Sequence, residues 1–546
     1  MKKALIFSII FLFLVLPLSF AKEIEYAPGQ LVLKVKDLNQ GTPERIQEIL
    51  NKEVLEVRQL FPEKNYGIAL EIGLNRIFLV TVDRNTNILR LTRQLKNHPS
   101  LDYIEPNYIY EGALMPTDNY FCRQWNFHNT GITCATPPSP GGIADADIDA
   151  PEAWDIEMGD SNVKIAVLDT GVHIIHPDLQ DNIWINPNEI PSNGIDDDDN
   201  GFIDDVNGWD FVADTSSMIG TSAECHAQED CSVEDPNVSD AQGHGTHISG
   251  IASAVTNNGA GVAGVCPNCE IIPVRTCYMD VGIGTSCSGD HIVGGIVYAT
   301  DIGANILSMS MASPSIYSPM TDALSYATTQ NVILIAAAGN DNWATQMYPA
   351  ADSNTLAVAA TDWSDARAPY SNYGSWIDVA APGGKDVSWG KIFSTDHNVF
   401  SAVLYSFKYG TSMATPHVSG LAGLILSRYQ GLTKAQTDHI IKNSVDTITT
   451  DQPIGSGRIN AFKAMSNWIC SDSTILKQCS TTQPQFCDFD ASFNLILRDN
   501  CSQCGCSAGY SCDPSGSCLV IPGPSTGSSP LMFKADPSAL TPIIQL

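Results

Sequence analysis

The middle of the chain alternates two patterns. Apolar runs at 163–168, 269–275, 306–310 and 331–338 are short and nearly continuous, as in strands buried on both faces of a parallel sheet. Between and after them, residues 291–305, the run Val418, Leu421, Ala422, Leu424, Ile425 and Leu426, and residues 433–444 read as helices. Such alternation over 163–430 predicts an α/β fold around a parallel sheet. Upstream, strand-like 30–35, helix-like 44–50, strand-like 77–82, helix-like 86–96 and strand-like 101–110 follow a βαββαβ order, which predicts a small α+β, ferredoxin-like domain. The start carries Lys2 and Lys3, an apolar run over 4–18 and small residues to Ala21, the pattern of a cleaved signal peptide; the run is short for a membrane span. Downstream of 469 the chain is rich in Ser, Gly and Cys and too polar for a core of its own, so disulfides are expected to hold it. The expected divisions are 1–21, 22–112, 113–468, 469–520, and a linker with a disordered tail over 521–546.

Three short motifs carry the chemistry. Residues 410–420 read G-T-S-M-A-T-P-H-V-S-G, with Ser412 just ahead of the apolar helical run and Pro416 suited to a first helical turn. Free N–H groups and the helix dipole at such a position favour a developing negative charge. By itself this segment reads more readily as a cap; a serine nucleophile also needs a base and an acid to orient it. Residues 163–172, V-K-I-A-V-L-D-T-G-V, end a buried strand at Asp169, where open α/β sheets place their sites. Residues 240–250, D-A-Q-G-H-G-T-H-I-S-G, set His244 between glycines that admit a close backbone approach.

In the order Asp169, His244, Ser412, these motifs resemble those of the subtilisin-type serine proteases, or subtilases, over roughly residues 115 to 468. The resemblance implies a three-layer, parallel-sheet catalytic domain and a secreted endopeptidase acting through an Asp-His-Ser triad and an acyl-enzyme. It further implies that Asn340, in the strand-ending A-A-A-G-N of 336–340, donates to the oxyanion with the Ser412 N–H. Ser310, Met311 and Ala312 would line the cleft, and Ala338 and Gly339 would wall the primary pocket. This chain has Ala312 and Ser313 where the family pattern has glycine, which leaves the pocket's size open. Gly282 to Ser286 would form the opposite edge, a peptide between the two edges being held by strand addition. Residues 22–112, ending Y-I-E-P-N-Y at 103–108, resemble subtilase propeptides, which assist folding and inhibit, with the cut expected within 111–116. Asp178, in H-P-D-L, would be a calcium ligand.

A separate acidic loop over 194–210 sets Asp196, Asp198, Asn200, Gly201, Phe202 and Asp204 at positions 1, 3, 5, 6, 7 and 9 of an EF-hand-like loop, though Asn207 stands where a bidentate Glu belongs. Structural Ca²⁺ is expected there, against the plainer reading of a solvated loop. The 16 cysteines split as eight over 122–287 and eight over 470–518, and behind a signal peptide they read as disulfides. Proximity suggests Cys122–Cys134, Cys225–Cys231, Cys266–Cys269 and Cys277–Cys287, with half a zinc site as the alternative for Cys266 and Cys269. A net charge of −31 argues against nucleic-acid partners. Peptide substrates, the chain's own propeptide as inhibitor, no transmembrane span and a monomer, secreted or held at a cell surface, complete the expectation. The alternatives are a catalytically silent binding protein on the same scaffold, its Cys-rich module serving adhesion, and a metallohydrolase; the latter lacks any His-Glu-x-x-His.

Overall fold

A computed structural model describes residues 26–61, 73–84, 86–108, 115–135, 141–213, 229–280, 284–397, 403–471, 474–479, 485–499, 510–512 and 518–520. The expected signal peptide, the tail from 521, most of the expected cut region, Cys225, Gly282 and Ile283 lie outside them. The chain divides into two compact units, Met1–Ala113 and Leu114–Leu546.

In the first unit, β1 (Tyr26–Val35), α1 (Pro43–Leu50), β2 (Val54–Gln59), β3 (Ile77–Val82), α2 (Ile88–Leu95) and β4 (Leu101–Tyr108) follow in that order. The strands form one antiparallel sheet in the order β2-β3-β1-β4. Alternate residues Leu31, Leu33 and Val35 meet Ile46, Leu50, Ile88 and Leu91 of the helices in one buried cluster. Thr42 and Asn87 start the two helices by accepting the backbone N–H groups of Arg45 and Arg90.

The second unit is built on a nine-stranded sheet. Its strands are β5 (Lys164–Asp169), β6 (Trp209–Asp210), β7 (Glu270–Arg275), β10 (Ile306–Met309), β11 (Ile333–Ala337), β12 (Leu356–Thr361), β13 (Val379–Pro382), β16 (Val445–Asp446) and β17 (Arg458–Ile459). The order is β16-β17-β13-β12-β11-β10-β5-β7-β6, and every pairing is parallel except the terminal β16–β17. Ile165 and Val167 point to one face and pack with α3 (His244–Ser253), α6 (Thr411–Arg428) and α7 (Lys434–Asn443). Ala166 and Leu168 point to the other and pack with α4 (Gly289–Asp301) and α5 (Ser318–Thr329). Both faces are covered, which is why these strands are apolar throughout. Outside the sheet, β8 (Cys277–Asp280) pairs with β9 (Gly284–Cys287), and β14 (Ile392–Thr395) with β15 (Tyr405–Lys408).

Cys122–Cys134, Cys266–Cys269 and Cys277–Cys287 are bonded as proximity suggested, and the zinc alternative at Cys266 and Cys269 falls away. Cys470–Cys487 ties the segment after 469 to a hairpin, β18 (Gln485–Phe489) and β19 (Leu495–Asp499). Leu476 and Phe489 of this segment are buried in the same cluster as α6 and α7, and Phe493 stacks on His439 of α7 with ring centroids 4.8 Å apart. Its apolar residues are therefore satisfied by the α/β core.

Helix α6 lies so close to its neighbours that Gly420 has no room for a side chain: a Cβ there would stand 2.5 Å from the Val265 Cβ and 2.8 Å from the Ala252 carbonyl oxygen. On propensity alone, Gly→Ala in a helix interior gains about 1 kcal/mol. We expect Gly420→Ala to destabilise instead, by about 1–3 kcal/mol of overpacking. Denaturant unfolding checks this; a more stable variant would show that the close contact is not as described.

Candidate active site

The parallel sheet brings the three motifs to one edge. Asp169 is the last residue of the interior strand β5 and is buried. His244 is the first residue of α3, entered through Gly243 at φ 85°, where a Cβ would strike the Asp396 side chain. His244 Nδ1 is 2.7 Å from Asp169 Oδ1, which also accepts the Thr170 N–H at 2.8 Å. Burial lowers the imidazole's proton affinity, but the charge of Asp169 and its hydrogen bond outweigh burial and leave the pKa raised above the ordinary value.

Ser412 is the second residue of α6, so the helix begins earlier than the apolar run indicated, and Pro416 lies inside it rather than in its first turn. The consequence is local. Pro416 has no N–H for the carbonyl four residues back, that of Ser412. Ser310 Oγ donates to that carbonyl at 3.1 Å, and Ser412 Oγ donates to the Ser310 carbonyl at 3.2 Å. Ser412 is thus held reciprocally against the end of β10, with its hydroxyl donated to a backbone carbonyl; catalytic hydrogen bonds commonly realign only when substrate binds.

Asn340 follows β11. Its Oδ1 accepts both the N–H and the Oγ1–H of Thr411, at 2.8 and 3.0 Å. Thr411 Oγ1 in turn accepts the Gly339 N–H at 3.1 Å. With its oxygen occupied, Asn340 has its Nδ2 left to offer. A Cβ on Gly410 would lie 3.5 Å from that Nδ2 and 3.7 Å from the Ser412 nitrogen, so the glycine keeps the space beside both donors open. Asn372 supports this corner: Nδ2 donates to the Ala338 carbonyl at 2.9 Å, and Oδ1 accepts the N–H groups of Asp341 and Trp343.

Met311 is half-buried and Ala312 exposed just after β10, while Ala338 is buried beside Gly339, which takes φ 97°. Opposite, Gln242, two residues before His244, donates to Thr285 Oγ1 on β9, and Cys277–Cys287 staples that hairpin. Asp240 is fully enclosed. Its carboxylate accepts from Thr170 Oγ1, from the N–H groups of Gln242, Gly243 and Thr246, and from Thr246 Oγ1. Burial pushes its pKa up to about 6 against those bonds. Asp240 thereby ties the residue after Asp169 to the one before His244. Thr411, Asn372 and Asp240 were not singled out from the sequence. Thr411 and Asp240 stood within the quoted motifs; Asn372 had no local signal.

Three further histidines, His417, His176 and His247, are held by structural hydrogen bonds. His417 is buried between Asn126 and the Met413 carbonyl and is held neutral, its pKa driven by burial down to about 3. His176 reaches the Leu404 carbonyl, and buried His247 the Ser406 carbonyl.

The acidic residues expected to hold calcium fall in two places. Asp178 is buried and accepts from Asn258 Nδ2 at 2.8 Å and the Val262 N–H at 2.7 Å. The same loop is gripped by Asp118, which takes the Asn257 N–H and has its other oxygen buried without a partner. In the acidic loop, Asp196 accepts the Asn200 and Gly201 N–H groups, Asn200 the Phe202 N–H, and Asp204 those of Asn193 and Gly194. Asp198 instead converges with Glu189 and Asp205.

A family model described as the subtilase family matches residues 160–460. The chain is 38% identical to thermitase of Thermoactinomyces vulgaris over 58% of this chain and 93% of that protein. It is 32% identical to a thermophilic serine proteinase of Bacillus sp. (strain AK1) over 70% of this chain and 76% of that one. Among solved structures, a protease of Pseudoalteromonas arctica PAMC 21717 superposes with a TM-score of 0.52 at 28% identity, covering 65% of this chain and 99% of that one.

Removing the Asp169 charge removes what raises His244 and leaves the burial that lowers it. If His244 acts as a base it must be neutral, so Asp169→Asn is expected to move the acid limb of kcat/KM to lower pH while kcat falls by about 10⁴. A limb that stays in place, or moves up, contradicts this electrostatic account.

Proposed function

We propose, from the premise that the chain belongs to the subtilase family and is a serine-type endopeptidase, that Ser412 is its nucleophile, His244 its general base and acid, and Asp169 the group that orients and charges the imidazole. The 2.7 Å contact between Asp169 and His244 supports this most directly, because it holds the imidazole's other nitrogen free to act. Ser412 Oγ rotates from the Ser310 carbonyl toward His244 Nε2, loses its proton there and attacks the peptide carbonyl. Asn340 Nδ2 and the Ser412 N–H take the oxyanion, the latter at a helix start where the dipole adds its share. His244 then passes the proton to the leaving amine, and water bound to the same imidazole releases the acyl-enzyme. Serine-proteinase relatives favour this reading over a silent binding scaffold.

The substrate backbone would lie between Ser310–Met311–Ala312 and the β8–β9 hairpin, with Ala338 and Gly339 walling the primary pocket. Calcium would be structural: Asp178 with Asp118 at the 257–262 loop, where a buried unpartnered carboxylate oxygen suits a cation, and Asp196, Asp198, Asn200, Phe202 and Asp204 in the acidic loop. The first 21 residues would direct secretion, and two relatives are themselves named extracellular proteases. Among the described residues no helix is long and apolar enough to cross a membrane. Residues 22–112 would act as a propeptide that the mature enzyme removes, with residues 113–468 as the peptidase and 469–520 as an appended module.

The test is self-processing. Wild-type protein secreted with calcium present is expected to lose about its first 112 residues, and Ser412→Ala to retain residues 22–112. Mass and N-terminal sequence read both. Identical cutting of the two would assign maturation to another protease and leave the nucleophile unproven.

A further inference from the structure

The calcium reading of the acidic loop can be taken further, because only one of the carboxylates that converge, Asp198, is among those the loop's spacing marks. Among the described residues, one group of three carboxylates offers oxygens that all lie within 4.8 Å of one another: Glu189, Asp198 and Asp205. Oxygens bound to one calcium at 2.3–2.6 Å stand at separations of this order. Glu189 and Asp205 are buried, Glu189 to 7% exposure and Asp205 to 0%.

Glu189 carries the observation that points to an ion. Its Oε1 accepts the Asp197 N–H at 2.9 Å, which fixes the side chain, while Oε2 is buried with no hydrogen-bond partner. A buried carboxylate oxygen without a donor is costly unless a cation meets it. Asp205 is positioned by Tyr298 Oη at 2.7 Å, Asn186 Nδ2 at 2.8 Å and Asn200 Nδ2 at 3.1 Å; Asn186 Nδ2 also reaches Asp198 at 3.1 Å. These donors orient the carboxylates as an outer shell does around a bound metal. Among the described residues no Lys or Arg forms an ion pair with any of the three. A cavity of about 310 Å³, lined in part by Trp184, Asn186, Asp198 and Asn200, adjoins the group and gives a route in. By contrast, the Asp204 carboxylate is occupied by the amides of Asn193 and Gly194, on the outer side of the loop.

We propose that Glu189, Asp198 and Asp205 bind one Ca²⁺ that pins the 184–210 segment to α4 through Tyr298. This rests on the reading that the acidic loop is a calcium site and reassigns its ligands: Glu189 and Asp205 enter, and Asp204 is a backbone clamp. The ion's two positive charges offset most of the charge of three clustered carboxylates, two of them buried, and it joins the segment that leads into β6 to the helix packed beneath the sheet.

The test uses the full-length chain carrying Ser412→Ala, so that processing does not alter the sample. Bound calcium per chain is counted by metal analysis after dialysis at fixed free Ca²⁺, and the calcium-dependent rise in Tm is recorded. Glu189→Gln is expected to lose one calcium per chain, or to weaken that site by 10–100-fold, and to lose part of the Tm rise. Asp204→Asn is expected to keep the calcium count, with affinity changed less than twofold. If Asp204→Asn loses the ion and Glu189→Gln keeps it, the ligand reassignment is overturned while the calcium reading of the loop survives. If both variants keep wild-type calcium, the loop holds no ion and both readings fail. Asp198→Asn, in the half-buried member of the group, guards against misfolding: it is expected to lose the same single ion with the Tm in EGTA unchanged, and retention of the ion by this variant also overturns the proposal.

Discussion

One hydroxyl joins the two halves of the site. Thr411 takes the Gly339 N–H and gives its own proton to Asn340, whose oxygen also holds the Thr411 N–H. The end of β11 and the start of α6 are thereby locked together within a hydrogen bond's length. The lock has a chemical result. It commits the amide oxygen of Asn340 to structure and leaves the amide nitrogen as a donor beside the Ser412 N–H, over a Gly410 that leaves the space empty. An oxyanion site stabilises charge only if its dipoles are set in advance, and in the proposed site this part-buried clamp between β11 and α6 would set them.

The rest of the site is likewise a product of the sheet edge. A parallel sheet delivers strand ends and helix starts to one side, so Asp169, the Ser310 segment and Asn340 emerge together with the first turns of α3 and α6. Asp240 performs for the proposed acid and base what Thr411 performs for the proposed donor and nucleophile: it ties Thr170 to Gly243 and Thr246 through one enclosed carboxylate. Pro416 leaves the Ser412 carbonyl unbonded within its helix, and Ser310 fills the gap. Three supports, Thr411, Asp240 and Ser310, hold the proposed catalytic groups or the residues beside them without taking part in bond making.

Much of this was legible because it was local. The triad motifs and the strands before them follow from apolar runs, glycines and residue order within ten-residue windows, and three disulfides followed from proximity alone. What was not legible depends on contacts across the chain. Glu189 meets Asp198 and Asp205 only after the loop turns back on itself, so an EF-hand spacing read along the sequence marked Asp198 but neither Glu189 nor Asp205. Asn372 supports the Asn340 corner from 32 residues away with nothing in its neighbourhood to mark it. The start of α6 was misjudged because a proline favours a first turn; here its missing N–H is absorbed by a side chain from β10's end. The segment after 469 reads as polar and self-contained, yet Leu476 and Phe489 are part of the main core.

The clamp is tested most directly by a double-mutant cycle on kcat/KM. Asn340→Ala alone should cost about 10²–10³, the worth of one oxyanion donor. Thr411→Val, which removes only the hydroxyl, should cost less, with KM nearly unchanged. If Thr411 acts through Asn340, the double variant is no slower than Asn340→Ala, and the two effects fail to multiply. If they multiply, Thr411 supports catalysis by some route other than Asn340, and the account of how this site sets its oxyanion donor is wrong.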